Sequence, residues 1–246
     1  GVIYEKTSKL LNSNIFVNQQ ENKNILSKIE KALVNNGSKK YFFGKDFNIL
    51  KAENSFIQYE DSDGLIILPE PNILGDHQLA NIATSIAVAK KLFNVENQNI
   101  KNGISKIHLR GRLEEIKSGK LKKLVGSNRL ICDGGHNINS SKAITHWIKQ
   151  QNQDVHIIVG MMKDKDHRSF IESFQNEVNS ITLIDIPNQE GSISKEEFKS
   201  KLNGIMKKIY LQNSIEESVK SINKYKNNIC LITGSLYLIG EVLNLN

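Results

Sequence analysis

The fold class is set by the stretch Arg129-Leu130-Ile131-Cys132-Asp133-Gly134-Gly135-His136-Asn137. Its unbroken apolar run indicates a β-strand that is buried on both faces. The carboxylate and the two glycines that follow allow a tight turn, and a helical pattern over residues 139–150 begins directly afterwards. A strand, turn and helix in this order are typical of an α/β protein with a parallel sheet.

The same alternation continues toward the C-terminus. Apolar runs predict strands at 156–160, 180–184, 209–211 and 229–233, with helices at 166–176, 194–203, 214–224 and 235–244. The N-terminal part is mixed α/β, with strands expected at 14–17, 41–43, 47–50, 55–59 and 65–68, and helices at 21–35, 77–93 and 97–106. Because the pattern changes near Ile107, we predict two domains, 1–106 and 107–246, the second with a mostly parallel sheet.

Composition excludes several classes of protein. The 246 residues are 39% hydrophobic with only three prolines, which indicates a folded chain. No apolar run reaches the ~20 residues of a membrane span, and the first residues do not resemble a signal peptide, so we expect a cytoplasmic protein without membrane contact. Cys132 and Cys230 lie in apolar runs and are predicted to be buried, reduced thiols.

The charge balance is basic, with 33 lysines and arginines against 26 acidic residues and a net charge of +7. Only four of the basic residues are arginines, and the lysines are scattered at helical spacing as on solvated faces. No aromatic residues interleave a basic stripe, so we expect no nucleic-acid binding.

Three polar turns follow predicted strands, at Asp133–Asn137, Gly160–Asp166 and Thr233–Leu236. Ligands of open α/β sheets bind beyond the carboxyl ends of the strands, so these turns are candidate binding elements. The alternative is structural: the aspartate makes an Asx-type turn, and Asp164 or Asp166 caps a helix. Arg110 and Arg112 suggest phosphate recognition, with an inter-domain salt bridge as the alternative.

Familiar nucleotide and metal signatures are missing from the sequence. It contains no G-x-x-x-x-G-K-[ST] phosphate loop, no G-x-G-x-x-G fingerprint and no cysteine or histidine pair with zinc spacing. The residues by themselves therefore lead to a two-part α/β protein with an edge suited to anions.

Five short motifs, taken in their order along the chain, give more information about function than composition and element pattern do. They are His77-Gln78-x-x-Asn81, Arg110-Gly111-Arg112-x-Glu114, Asp133-Gly134-Gly135-His136-Asn137, Gly160-x-x-x-Asp164-Lys165-Asp166 and Thr233-Gly234-Ser235-Leu236-Tyr237-Leu238. Together they resemble the folylpolyglutamate synthase / dihydrofolate synthase family of the Mur ligase superfamily. The resemblance implies the tail part of a Mur-ligase-type central ATPase domain in 1–106 and a complete Rossmann-like C-terminal domain in 107–246.

The resemblance also implies an activity. Such enzymes are ATP-dependent, Mg²⁺-requiring ligases that add L-glutamate to dihydropteroate or folate through an acyl phosphate, and they are generally monomeric. The sequence departs from the family pattern at Thr7-Ser8 and at Gly134-Gly135. It also lacks the family's N-terminal phosphate-loop region, so we expect this chain alone to be inactive.

Site residues follow from the resemblance position by position. Asn81, Arg112 and Asp133 match ATP-contacting positions, and His136 matches a histidine near the phosphates and the incoming amino acid. Lys6, in the pair Glu5-Lys6, aligns with the lysine that the family carbamylates to make a Mg²⁺ ligand.

Three other interpretations remain open. The chain could belong to another branch of the Mur ligases, such as the peptidoglycan or cyanophycin enzymes. It could be a non-catalytic nucleotide- or anion-binding module derived from such a ligase. Finally, it could be an α/β binding protein that is unrelated to ligases.

Overall fold

The computed structural model describes residues 10–20, 22–34, 37–51, 56–71, 77–107, 109–205 and 208–246. The described residues form two compact units. Residues up to 107 belong to the first unit, and residues from 109 onward belong to the second. None of the described helices has the length and apolarity needed to cross a membrane.

The first unit begins with a parallel strand pair. Strand β1 (Asn14–Val17) and β2 (Lys39–Phe42) flank helix α1 (Lys23–Ala32). The rings of Phe16 and Tyr41 are paired across the strands and stack with centroids 4.7 Å apart. Asn22 caps α1 by accepting hydrogen bonds from backbone N–H groups of its first turn, the usual role of asparagine at a helix start.

An antiparallel sheet and two helices complete this unit. The sheet contains β3 (Phe47–Lys51), β4 (Phe56–Asp61) and β5 (Gly64–Pro69), followed by α2 (His77–Phe93) and α3 (Asn97–Ser105). The buried Asp61 carboxylate accepts a hydrogen bond from Tyr59 Oη at 3.0 Å and pairs with Lys90 Nζ of α2 at 2.8 Å. Burial and the neighbouring Asp61 charge raise the pKa of Tyr59, so its phenol remains a donor.

Apart from its first strand and first helix, the second unit follows the predicted order of strands and helices. Its elements are β6 (Glu114–Glu115), α4 (Lys120–Val125), β7 (Arg129–Asp133), α5 (Ile138–Lys149), β8 (Val155–Val159), α6 (His167–Glu172), β9 (Ser180–Leu183), α7 (Lys195–Lys201), β10 (Ile209–Leu211), α8 (Ile215–Ile222), β11 (Ile229–Thr233) and α9 (Leu236–Leu245).

These strands form one sheet in the order β10-β9-β8-β11-β7-β6. All neighbouring pairs are parallel except β6, which runs antiparallel to β7. The last strand in sequence, β11, lies between β7 and β8, so the polar turns after these three strands are neighbours. Apolar clusters cover both faces of the sheet, and the predicted α/β class with a mostly parallel sheet is confirmed.

Two elements of the second unit were not predicted. Strand β6 is a pair of glutamates with little strand propensity, and it is held at the sheet edge because the flanking Leu113 and Ile116 are buried. Helix α4 is only six residues long and contains three lysines, so its periodic signal is weak. Both Cys132 and Cys230 are buried free thiols, as predicted, and burial raises the pKa of each to about 12.

His156 of β8, for which the sequence suggests no partner, lies in a buried polar cluster. Its Nδ1 is 2.7 Å from Ser180 Oγ, and Asn228 Nδ2 donates to its Nε2 at 3.3 Å. The imidazole stacks on Tyr225 with centroids 4.0 Å apart. Because Nε2 accepts, the ring is neutral, with its proton on Nδ1 and donated to the serine hydroxyl.

We predict that this cluster makes the second unit less stable in acid. Burial lowers the pKa of His156 below its ordinary value of 6.5; Asp154 opposes the shift, while Lys224 and Lys208 add to it. The unfolded chain then binds the proton more readily, so stability is full above about pH 6.5 and is lost as the pH falls toward the lower folded-state pKa.

The measurement is urea unfolding followed by fluorescence of the single tryptophan, Trp147, which is buried in this unit. Between about pH 7.5 and about pH 5, the wild type should lose more unfolding free energy than His156→Gln, which cannot take up a proton there. Equal losses in the two proteins would contradict the prediction. The buried His167 stays in both proteins and cancels from the comparison.

Candidate functional site at the carboxyl edge of the sheet

Asp133 ends β7 and is 4% exposed. Its Oδ1 accepts a hydrogen bond from Gly135 N at 2.7 Å, and its Oδ2 accepts one from Leu113 N at 2.9 Å. The first bond is the Asx-type turn that the sequence offered as an alternative. The second fastens the segment before β6 to the end of β7, so Asp133 has a structural role whatever else it binds.

The Arg110–Leu113 segment is folded tightly against this turn. Gly111 O accepts from Gly134 N at 2.9 Å, and Gly111 N donates to Glu114 Oε2 at 2.7 Å. Gly111 and Leu113 both have positive φ, 66° and 45°, and the leucine is 1% exposed. A buried leucine in this conformation is strained, and the hydrogen bond that Leu113 N donates to Asp133 holds it there.

The two arginines of this segment have different surroundings. Arg110 Nε pairs with Glu114 Oε1 at 2.8 Å, so the salt-bridge alternative applies to Arg110, although the pair lies within one unit rather than between domains. Arg112 is half-buried, and no described carboxylate pairs with it. A Cβ on Gly134 would lie 3.0 Å from Arg112 Nη1, so the glycine gives the guanidinium room beside the turn. Arg112 is therefore a cation available to an anionic ligand.

His136 and Asn137 lead from the turn into α5. Asn137 forms a capping box with Ser140, while His136 Nδ1 is 3.2 Å from Gly134 O. A hydrogen bond from Lys165 is the main cause of the lowered pKa of Asp164, and the charge of His136 adds to it.

Backbone hydrogen bonds join the three strand-end turns. Gly234 N donates to Gly135 O at 3.0 Å, and Gly160 N donates to Thr233 O at 3.3 Å. Of the two aspartates considered as helix caps, Asp166 caps α6 by accepting from Ser169 N, while Asp164 pairs with Lys165. The carboxyl edge is therefore one connected backbone surface with Arg112 beside it.

The structure brings Arg112, Asp133 and His136 together in the second unit, while Asn81 belongs to the first. Asn81 lies on α2, where its Nδ2 donates to Gln78 Oε1 at 3.0 Å and its Oδ1 accepts from Asn18 Nδ2 at 2.7 Å. The other predicted site residue, Lys6, lies outside the described residues.

Sequence reasoning assigned no role to Asn18, Gln78 or Glu114, which hold the candidate residues in place. Signals for two of them were present: Gln78 stands three residues before Asn81 on a helix, and Asn18 directly follows a strand. Within the described parts of the chain, no group of three or more His, Cys, Asp or Glu side chains could hold a metal ion.

The fold and the site define a class of protein: a Rossmann-like α/β domain with glycine-rich turns and an available arginine at its carboxyl edge, an arrangement suited to phosphate groups. A family model described as dihydrofolate synthetase, C-terminal domain, matches residues 119–245, just over half of the chain. The chain belongs to this family.

Curated relatives carry related names. The chain is 27% identical over 216 residues to a folylpolyglutamate synthase of Lacticaseibacillus casei, covering 84% of this chain and 48% of the relative. It is 27% identical over 181 residues to a dihydrofolate synthase/folylpolyglutamate synthase of Haemophilus influenzae, covering 66% and 41%. The chain thus spans about half the length of the curated relatives it matches.

Solved structures share the fold. A folylpolyglutamate synthase of Mycobacterium tuberculosis complexed with ADP and AMPPCP matches with a TM-score of 0.80 at 13% identity, over 94% of this chain and 55% of that one. FolC of E. coli in complex with DHPP and ADP matches with a TM-score of 0.77 at 20% identity, over 99% and 55%. At these identities the likeness establishes the architecture.

Proposed function

We propose that this chain is the C-terminal half of an ATP-dependent ligase that joins L-glutamate to dihydropteroate, folate or both through an acyl phosphate. Residues 1–106 would be the tail of its central ATP-binding domain, and residues 107–246 its C-terminal Mur ligase domain. The enzyme would be a cytoplasmic monomer. One observation carries the proposal: at the carboxyl edge, Arg112 lies beside the turn that Asp133 fixes and pairs with no carboxylate of the described residues, in a chain of this family.

Each candidate residue fits a part of this reaction. Arg112 offers a charged, forked donor to phosphate oxygens. The carboxylate of Asp133, which two backbone N–H groups hold in place, is of the chemical type that accepts from a ligand hydroxyl or from metal-bound water. We assign His136 to positioning at the phosphates and the incoming amino group, and the Asn81 amide to ATP.

Phosphoryl transfer of this kind depends on positioning and on cations around the phosphates rather than on a protein nucleophile. Bound Mg²⁺ would neutralise the charge that develops on the transferred group. Lys6, if carbamylated, would supply a carboxylate-like ligand to that ion. The described residues do not form a metal cluster of their own, so the remaining ligands are expected from the other half of the enzyme.

The test is incorporation of labelled glutamate by the longest natural chain that contains this sequence, with dihydropteroate and tetrahydrofolate as separate acceptors. We expect ATP-dependent incorporation with at least one acceptor, and none with residues 1–246 alone. Incorporation of a different amino acid would favour another Mur ligase. Nucleotide binding without any incorporation would favour a non-catalytic module.

Arg112→Ala is predicted to weaken the use of ATP by the intact enzyme. Loss of one charge-assisted phosphate contact corresponds to about 1.5–3 kcal/mol, which raises the KM for ATP by roughly 10- to 150-fold. Arg168→Ala is the matched control, because Arg168 is an exposed arginine of the same unit that pairs with Glu172. Steady-state kinetics with varied ATP measure the effect, and equal KM values for both variants would count against the site.

A further inference from the structure

A second polar site lies away from the carboxyl edge, on one face of the same sheet. A cavity of about 70 Å³ separates the end of α8 from β9 and β10. Its lining is Ser180, Thr182, Tyr210, Gln212, Ser221, Ile222, Lys224 and Tyr225. At ~30 Å³ per water, it has room for about two water molecules, which suits a small ion or a single functional group rather than a nucleotide.

The floor of the cavity presents two buried hydroxyls. Ser180 and Thr182 are 3% and 1% exposed, and they lie two residues apart on β9, so they face the same side of the sheet. Ser180 Oγ accepts the Nδ1 proton of His156, which leaves its own O–H to donate. Thr182 Oγ1 makes no hydrogen bond to the described residues, although it is not sealed from the cavity.

The mouth of the cavity carries a cation. Lys224 Nζ lies 5.7 Å from the ring centroid of Tyr210 and 5.0 Å from that of Tyr225, so two aromatic faces hold the ammonium. No described carboxylate pairs with it, and the cavity lining contains no acidic side chain. The positive charge at the cavity is therefore not balanced by any lining residue.

Donors thus surround the cavity from several directions, with hydroxyls on the floor and an ammonium at the mouth. Hydroxyl groups that open to the cavity can donate to a bound acceptor, and a cation that no lining residue balances attracts a negative charge. We propose that this cavity binds a small oxyanion of the phosphate class. The tetrahedral oxygens of such an anion can accept hydrogen bonds from the hydroxyls at the floor and from the Lys224 ammonium at the mouth. The cavity shares no lining residue with the carboxyl edge.

The probe is inorganic phosphate added to the 246-residue chain at constant ionic strength, with chloride as the reference and acetate as a separate arm. Binding is read from the Trp147 unfolding transition and from chemical shifts of the Gln212 and Ser221 amides. We expect a saturable phosphate effect that moves these amides. Failure of phosphate to bind, or binding of acetate alone, would overturn the proposal.

Single substitutions test whether phosphate binds in this cavity. Lys224→Gln should weaken phosphate binding at least tenfold, and the near-isosteric Thr182→Val about fivefold, the equivalents of about 1.4 and about 1 kcal/mol. Lys226→Gln, at an exposed lysine two residues further along, should leave the affinity unchanged. Arg112→Gln separates the two sites: a phosphate effect that disappears in this variant but survives in Lys224→Gln would assign binding to the carboxyl edge and refute the proposal.

Discussion

Asp133→Ala is expected to reduce the unfolding free energy of the second unit by about 3–5 kcal/mol. The substitution removes two charge-assisted hydrogen bonds and leaves the N–H groups of Leu113 and Gly135 buried without acceptors. It also releases the Arg110–Leu113 segment, which contains the strained Leu113 and carries Arg112. Urea unfolding followed by Trp147 fluorescence measures the change.

Two comparisons make this test specific. Asp133→Asn keeps one acceptor oxygen and should lose roughly half as much stability. Asp164→Ala removes an exposed carboxylate of the adjacent turn and should leave the unfolding free energy close to that of wild type. If Asp133→Ala were as stable as wild type, its two backbone bonds could not be what holds the edge together.

The substitution Gly234→Ala is expected to destabilise the second unit by about 3–5 kcal/mol and to separate the turns at the carboxyl edge. Gly234 has φ of 113°, a conformation that is strained for any residue with a side chain. An added Cβ would also lie 2.6 Å from Gly160 O and 2.9 Å from Met161 Cγ. Both backbone strain and overlap in a packed region oppose the change.

Gly204→Ala separates these two causes. Gly204 also has a positive φ, 82°, but no atom of the described residues beyond its chain neighbours lies within 4 Å of an added Cβ. It should therefore show only the conformational cost, about 1–2 kcal/mol. The same fluorescence-detected unfolding measures both variants, and equal losses would mean that the close approach to Gly160 contributes nothing.

Much of the local structure was predictable from the sequence. Helix 77–93 and strands 14–17, 209–211 and 229–233 have the bounds that periodicity indicated, because apolar runs and turn residues act locally. The sequence did not predict β6 and α4, because these elements are too short and too charged to give a periodic hydrophobic signal. The family was also recognisable from the sequence, because its motifs include short contiguous stretches such as Asp133-Gly134-Gly135-His136.

The candidate site was predictable only as a set of separate turns. Sequence indicated that Asp133 ends a strand and that Gly134 and Gly135 turn the chain. It gave no sign that Asp133 would bind Leu113, twenty residues earlier. Likewise, His156 had no nameable partner until β9 brought Ser180 beside β8.

The sequence by itself therefore determined the α/β class, the order of the elements other than β6 and α4, and the residue types at each turn, since each depends on neighbours in the chain. Only the tertiary structure decided that β11 inserts between β7 and β8, that Arg110 is paired while Arg112 is available, and that two hydroxyl-bearing residues of β9 line a cavity together with a lysine. Strand order and partner choice arise from crossover connections and packing between distant segments, and no local pattern encodes these.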